Sequence, residues 1–201
     1  MIKKLSAFAA GILMAASAHA ALIPTGSISF TGFFDTLPAA PSSSIVSQLN
    51  AIDVNAAALA GGSTGGLAGS DGAATATDWD LTALPALVFT TANGFTFTVT
   101  SIENTTRGAL ECGDNKCDDS LVVDIVGTAT KAGFDDTPFN GTWTGNGSCA
   151  SSNNTQCTSD ISGSFSASLT VNPQGTVPEP GTLALLGLGL AGLGAARRRK
   201  A

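Results

Sequence analysis

Two stretches of the chain alternate between apolar and polar residues. Gly94–Ser101 reads GFTFTVTS, and Ser162–Val171 reads SGSFSASLTV. An apolar residue at every second position matches the period of a β-strand with one buried face and does not match the 3.6-residue period of a helix. These stretches therefore predict half-buried β-strands.

Shorter runs of the same kind surround these two stretches. Strands are predicted at Ser27–Phe34 and Ser120–Thr128, with a strand-containing stretch at Ser44–Val54. Asn93–Gly94 is expected to form a hairpin turn. Ala56–Ala76 holds almost no bulky side chains and is expected to be a long loop.

The pattern of many short strands with Gly- and Asn-rich turns predicts an all-β fold. We expect an antiparallel β-sandwich or a jelly-roll-like domain. The predicted core residues are Phe30, Phe95, Phe97, Phe165 and Leu169.

Charge is distributed unevenly along the chain. Between residues 21 and 180, Arg107, Lys116 and Lys131 are the only basic residues, against all fifteen acidic ones, which gives a formal charge of −12. A surface this acidic repels phosphate backbones. We therefore expect no nucleic-acid partner.

The first 20 residues have the pattern of an export signal. Two lysines precede an apolar stretch, and Ala18 and Ala20 form a small-x-small cleavage site, so the mature chain is predicted to start at Ala21. The chain's one histidine, His19, would leave with this signal. Nucleophiles activated by histidine and histidine-ligated metal sites are thus excluded from the mature chain.

The C-terminal segment has three consecutive parts. Val177, Pro178, Glu179 and Pro180 precede sixteen residues without a charged side chain, and a basic cluster follows. As a helix, sixteen residues measure about 24 Å, which makes a short membrane span. The basic residues are expected to stop translocation. They are Arg197, Arg198, Arg199 and Lys200.

This C-terminal arrangement resembles the PEP-CTERM sorting signal of exported proteins in Gram-negative bacteria. The resemblance implies three parts: a signal peptide at 1–20, an exported β-domain at 21–176 and a sorting signal at 177–201. It also implies that a membrane exosortase cuts the chain near Val177–Pro180. The protein would be anchored in the inner membrane transiently and then reach the cell surface or the extracellular matrix.

The same resemblance implies an association with exopolysaccharide and the biofilm matrix. A second likeness to the sandwich domains of other PEP-CTERM proteins covers a block of turn and strand sequence. It includes Gly133–Pro138, Gly141–Trp143 and Gly163–Ser168.

Four cysteines lie in the predicted exported domain: Cys112, Cys117, Cys149 and Cys157. An even count in an oxidising compartment favours two disulfides, and three connectivities are open. Pairing of nearest neighbours would close one polar loop each. A four-cysteine zinc site is the alternative, but its usual C-x-x-C spacing is missing.

Carboxylates are the remaining candidates for chemistry. Asp78 and Asp80 flank Trp79, and such a pair could serve a glycoside hydrolase, with Trp79 or Trp143 stacking on a sugar. We expect instead that these carboxylates are solvated and that no residue is catalytic. Calcium is a second option, because Glu111, Asn115 and three aspartates cluster near the first cysteine pair. These candidate calcium ligands are Asp114, Asp118 and Asp119.

Three functional hypotheses follow. The first is a non-enzymatic, surface-sorted structural or interaction component of the exopolysaccharide matrix that needs no cofactor. The second is a carbohydrate-binding module, with or without calcium, that uses Trp79 or Trp143. The third is a hydrolase that uses Asp78 and Asp80.

Overall fold

The computed structural model describes residues 20–36, 51–80, 83–84, 88–155, 157–159 and 161–173. Almost all of them belong to one compact unit, Ala21–Pro173. The sorting signal at 177–201 and the export signal up to residue 19 lie outside the described residues, so the predicted helix at 181–196 does too. Among the described residues, no helix is long and apolar enough to cross a membrane. The predicted mature N-terminus, Ala21, begins the first strand.

Strands make up most of the unit. In chain order they are β1 (Ala21–Leu22), β2 (Gly26–Thr36), β3 (Ala51–Gly61), β4 (Gly72–Ala76), β5 (Trp79–Asp80), β6 (Val88–Thr91), β7 (Thr96–Arg107), β8 (Glu111–Gly113), β9 (Lys116–Thr130), β10 (Phe134–Asp135), β11 (Thr137–Ala150) and β12 (Ser162–Val171). A single 3-10 turn at Gly65–Leu67 lies between β3 and β4.

Eight of these strands form a closed circuit of hydrogen bonds. The order is β11, β12, β2, β3, β4, β6, β7 and β9, and β9 pairs again with β11. The short strands β5 and β8 extend it by pairing with β3 and β9. Every pairing is antiparallel except that of β1 with β10. The all-β, antiparallel prediction is confirmed, and opposite walls of one closed sheet face each other across the core.

The alternation noted in the sequence directs apolar side chains into this core. Strand β12 has the predicted bounds, and the predicted hairpin at Asn93–Gly94 joins β6 to β7. All five predicted core residues are buried. Aromatic rings meet across the interior, as in the stacked pair Phe30 and Phe89, whose centroids are 4.6 Å apart.

Inward-facing glycines provide room for these rings. A Cβ atom on Gly145 would clash with the six-membered ring of Trp143, and one on Gly32 would lie 2.6 Å from the ring of Phe165. A methyl group placed so close forces the ring or the backbone to move. The sheet therefore accommodates large rings because small residues lie beside them.

The predicted loop at Ala56–Ala76 is wrong over much of its length. The second half of β3 and all of β4 lie inside it and pair with each other. Small side chains of both strands, such as Ala58 and Ala74, are buried in the wall of the closed sheet. Aromatic side chains on other strands supply the bulk that this wall lacks, so low local bulk does not prevent strand formation here.

Candidate binding groove

The two tryptophans lie in the core and not on the surface. Trp79 is 1% exposed and Trp143 is 0% exposed. Their rings meet edge to face, with centroids 4.5 Å apart and planes at 81°. Neither ring can stack on a sugar, so the prediction that Trp79 or Trp143 forms a carbohydrate platform is wrong. Both indole nitrogens are buried without a hydrogen-bond acceptor among the described residues.

Asp78 and Asp80 lie on either side of the buried Trp79. The backbone N–H of Val54 donates to Asp78 over 3.2 Å. Asp78 also shares a hydrogen bond with Asp53, which faces Asp35 across the β2–β3 pair. Burial raises the pKa of Asp53, and the charge of Asp78, its hydrogen bond and the charge of Asp35 raise this pKa further.

The candidate hydrolase pair is Asp78 and Asp80, and Asp78 lies close enough to Asp53 for their charges to interact. Glycoside hydrolysis requires two carboxyl groups separated by about 5 Å or more. The use of Asp78 and Asp80 in such a reaction stays a prediction.

The structure does not bring the three calcium candidates together. Asp114 lies at the tip of the β8–β9 hairpin in the left-handed region, with a φ of 53°. Asp118 faces outward and forms an ion pair with Lys116 at 2.7 Å. Asp119 faces the other side of β9, is 8% exposed and accepts a hydrogen bond from the backbone N–H of Ser120 at 2.7 Å. Within the described residues, no group of three or more acidic, histidine or cysteine side chains is placed to hold a metal ion.

The cysteines form two disulfides between nearest neighbours. Cys112 bonds to Cys117 and Cys149 bonds to Cys157, with Cα atoms 4.1 Å and 5.5 Å apart. No described cysteine is free. Cys117 and Cys149 are paired across β9 and β11, so the two bridges are neighbours in the sheet.

The loops closed by these disulfides are hydrogen-bonded to each other. The backbone N–H of Ser151 donates to the carbonyl of Asn115 over 2.7 Å, and the N–H of Asn115 donates to Oδ1 of Asn154 over 2.8 Å. One end of the closed sheet is thus fixed by two crosslinks and by hydrogen bonds between them.

An open groove of about 800 Å³ lies next to this crosslinked end. It crosses β2, β12, β11 and β9 and is bordered by the segment that leads into β8. Its lining is Phe33, Phe34, Asp35, Ala109, Glu111, Asp118, Asp119, Ser120, Asn146, Gly147, Ser148, Ser162, Gly163 and Ser164.

Strand register arranges the groove's polar side chains in two rows. The first row joins directly paired residues from β8 to β2, in the order Glu111, Asp118, Ser148, Ser162 and Asp35. It covers four interstrand spacings of about 4.8 Å each, or about 19 Å in total. The side chains of this row lie on one face of the sheet and form one wall of the groove.

The second row lies two residues along each strand, so it shares the outer face with the first. It contains Ser120, Asn146, Ser164 and Phe33, each paired with the next. Phe33 is 67% exposed. It lies where the register between β2 and β3 shifts, so it has no paired residue on β3.

The sequence does not predict this groove. Phe33 belongs to a predicted strand, and no sequence pattern singles out Asp35 or Ser148. One usable signal was present, because the polar positions of Ser162–Val171 mark an outer face made of hydroxyl groups. The signal did not identify the neighbouring strands, because their pairing depends on residues far apart in the chain.

Comparison with known proteins gives information on the C-terminal segment, which follows β12 in the sequence. No curated protein and no solved structure is similar enough to the chain to be matched. A family model does match its C-terminal end, and the match confirms the expectation from Val177–Pro180 and the basic cluster. Residues 176–200 match the PEP-CTERM protein-sorting motif, and this match supports an exosortase substrate of the PEP-CTERM type.

Proposed function

We propose that the chain is a surface-sorted, non-enzymatic protein whose β-domain at 21–176 is a structural or interaction module of the exopolysaccharide matrix. The observation that carries this proposal is the sorting motif at 176–200, which follows the last strand at Val171 by only a few residues. Cleavage near the motif would release a domain that is already closed and crosslinked by disulfides.

The chemistry of the domain supports a role without catalysis. Its interior is filled by aromatic and aliphatic side chains, and residues 21–201 contain no histidine to act as a general base. The two disulfides suit an oxidising location outside the cytoplasm. The proposed role requires no cofactor, so treatment with a metal chelator should leave the unfolding midpoint and the matrix association unchanged.

The sorting step is tested by the intact mass of the protein from the cell surface and medium of an exosortase-containing Gram-negative host. We expect a species that begins at Ala21 and ends near Pro180. Replacement of Val177–Pro180 by alanines should abolish it and leave a longer species that retains Arg197–Lys200.

A matched control replaces residues 172–175, which directly precede the motif at 176–200, by alanines. This variant should be processed like the wild type, because Val177–Pro180 is intact in it. A wild-type species that retains the basic cluster at the cell surface would contradict the proposal and indicate a protein that stays anchored.

The second candidate function is carbohydrate binding. The groove favours it, because an exposed aromatic ring lies there beside hydroxyl, amide and carboxylate groups. The platform would then be Phe33 and not either tryptophan. This function is compatible with the first, since a matrix module must contact the polymer around it.

A further inference from the structure

We propose that the groove binds a positively charged polysaccharide whose repeating units carry free amino groups. This inference deepens the proposed function and rests on it, because it names the class of polymer that the module would contact.

The charge of the groove determines whether it attracts a positively or a negatively charged ligand. Three lining carboxylate residues, Asp35, Glu111 and Asp118, lie on the outer face, and no basic residue lines the groove. Lys116 forms an ion pair with Asp118. The excess negative charge attracts ammonium groups and repels uronate, sulfate or phosphate groups. An anionic polymer is therefore a poor ligand.

Phe33 adds a second, independent element. A phenylalanine side chain that is two-thirds exposed costs solvation free energy unless something covers it. The face of an aromatic ring carries partial negative charge, and such a face attracts the C–H groups of a sugar ring or a nearby ammonium group. An exposed ring beside carboxylates therefore suits a ligand that combines apolar sugar faces with positive charge.

The hydroxyl and amide side chains supply the polar contacts that sugar hydroxyl groups require. Ser148, Ser162 and Ser164 each offer one donor and two acceptor positions, and Asn146 offers both kinds. Ser148 and Ser162 lie between Asp118 and Asp35 in the first row, which is about 19 Å long, and Asn146 and Ser164 lie beside them in the second row. The rows are long enough to contact several consecutive sugar units of an extended chain.

Strand pairing argues against a basic peptide as the occupant. A peptide that binds a sheet in extended form usually adds to an edge with unpaired N–H and carbonyl groups. At the groove, β11 is paired with β9 and β12, and β12 is paired with β11 and β2. Across β11 and β12 the groove therefore offers side chains and no free edge.

The test measures binding of short oligosaccharides to the protein purified in its exported form, whichever C-terminus it carries. The probes are a hexamer of glucosamine, the fully N-acetylated hexamer, an oligouronate of similar length and a lysine hexapeptide. Isothermal titration calorimetry at two salt concentrations should show binding of the glucosamine hexamer that weakens as salt rises. The acetylated hexamer should bind several-fold more weakly, and the oligouronate should not bind.

Variants locate the site. Phe33→Ala should weaken binding about fivefold or more, because the ring no longer covers the ligand. The double variant Asp35→Asn, Asp118→Asn should weaken it by a similar factor and flatten the salt dependence. Leu59→Ala and Asp136→Asn are the matched controls. Leu59 is an exposed apolar residue outside the groove, and Asp136 is an exposed acid between β10 and β11, so both variants should bind like the wild type.

Several outcomes would overturn the inference. One is equal affinity for the glucosamine hexamer and the acetylated hexamer. Another is a lysine hexapeptide that binds as tightly as the glucosamine hexamer and binds Phe33→Ala as tightly as the wild type. The absence of any binding would also overturn it. None of these results would alter the masses that test sorting, so failure of the groove and failure of the proposed surface function remain distinguishable.

Discussion

Trp79 of β5 and Trp143 of β11 meet edge to face at 4.5 Å in the centre of the closed sheet. Residues 64 positions apart in the chain thus form one aromatic pair, which Phe34 and Phe165 extend with centroids about 6 Å from the ring of Trp143. Because these rings are buried and pack against one another, they contribute to stability and are unavailable to a ligand.

The first prediction concerns this pair. Trp79→Phe should lower the free energy of unfolding by about 1–3 kcal/mol, because the smaller ring leaves a cavity against Trp143. Denaturant unfolding followed by tryptophan fluorescence measures the change. Leu59→Ala, at a side chain that is 64% exposed, should change stability by less than about 0.5 kcal/mol. Equal losses in the two variants would contradict the assignment of Trp79 to the core.

The position of this pair also shows what the sequence alone could predict. The bounds of β12 followed from its alternation, because a strand with one buried face leaves a local signal. The same signal could not show that Trp79 faces inward. Trp79 lies in a two-residue strand, and both of its neighbours in the sequence are aspartates. Its burial depends on pairing between Ile52 and Trp79, which are 27 residues apart.

The sequence does not predict the groove, for a similar reason. Each of its residues is unremarkable within its own strand, and Asp35, Ser162 and Ser148 become neighbours only when β2, β12 and β11 are in register. The incorrect prediction of a loop at Ala56–Ala76 has the same origin. Alanine and glycine carry little local preference for a buried strand, and the rings that make such a wall favourable belong to other strands.

The second prediction concerns the space beside Trp143. Gly145→Ala should destabilise the domain by about 1–3 kcal/mol, because the added methyl group would occupy the position of the indole ring. Gly61→Ala is the matched control. It lies in β3, and a Cβ atom there would have no neighbour within 4 Å among the described residues. Unfolding midpoints should therefore fall for Gly145→Ala and stay near the wild-type value for Gly61→Ala. The reverse order would contradict the inward direction of Gly145.

The third prediction concerns the two disulfides. The chain-entropy model gives about 2 kcal/mol for the bridge that joins Cys112 to Cys117 and about 2.5 kcal/mol for the longer loop closed by Cys149 and Cys157. Replacing the second pair by alanines should cost more than replacing the first, since both of its sulfur atoms are also buried. Unfolding of the two double variants without reductant measures the order. Peptide mapping of the unreduced protein should recover the two predicted crosslinked peptides, and any other pairing would contradict the structure.

The fourth prediction concerns the carboxyl groups of Asp53, Asp78 and Asp35. The pKa of Asp53 is raised above its usual 3.8, first by burial and then by Asp78 and Asp35. The folded chain therefore holds this proton more tightly than the unfolded chain does. The resulting stabilisation is present at low pH and is lost as the pH rises from about 3.8 through the raised pKa.

Asp53→Asn should therefore be more stable than the wild type at neutral pH, because it removes one of the facing charges and can still donate a hydrogen bond to Asp78. The advantage should shrink as the pH falls through the raised pKa of Asp53, where the wild-type carboxyl group becomes protonated. Urea midpoints of both proteins at a series of pH values measure this difference, which cancels the titration of groups common to both. Asp136→Asn removes the same charge far from this cluster and should show no such trend. An advantage of Asp53→Asn that grows towards low pH would contradict the direction of the shift.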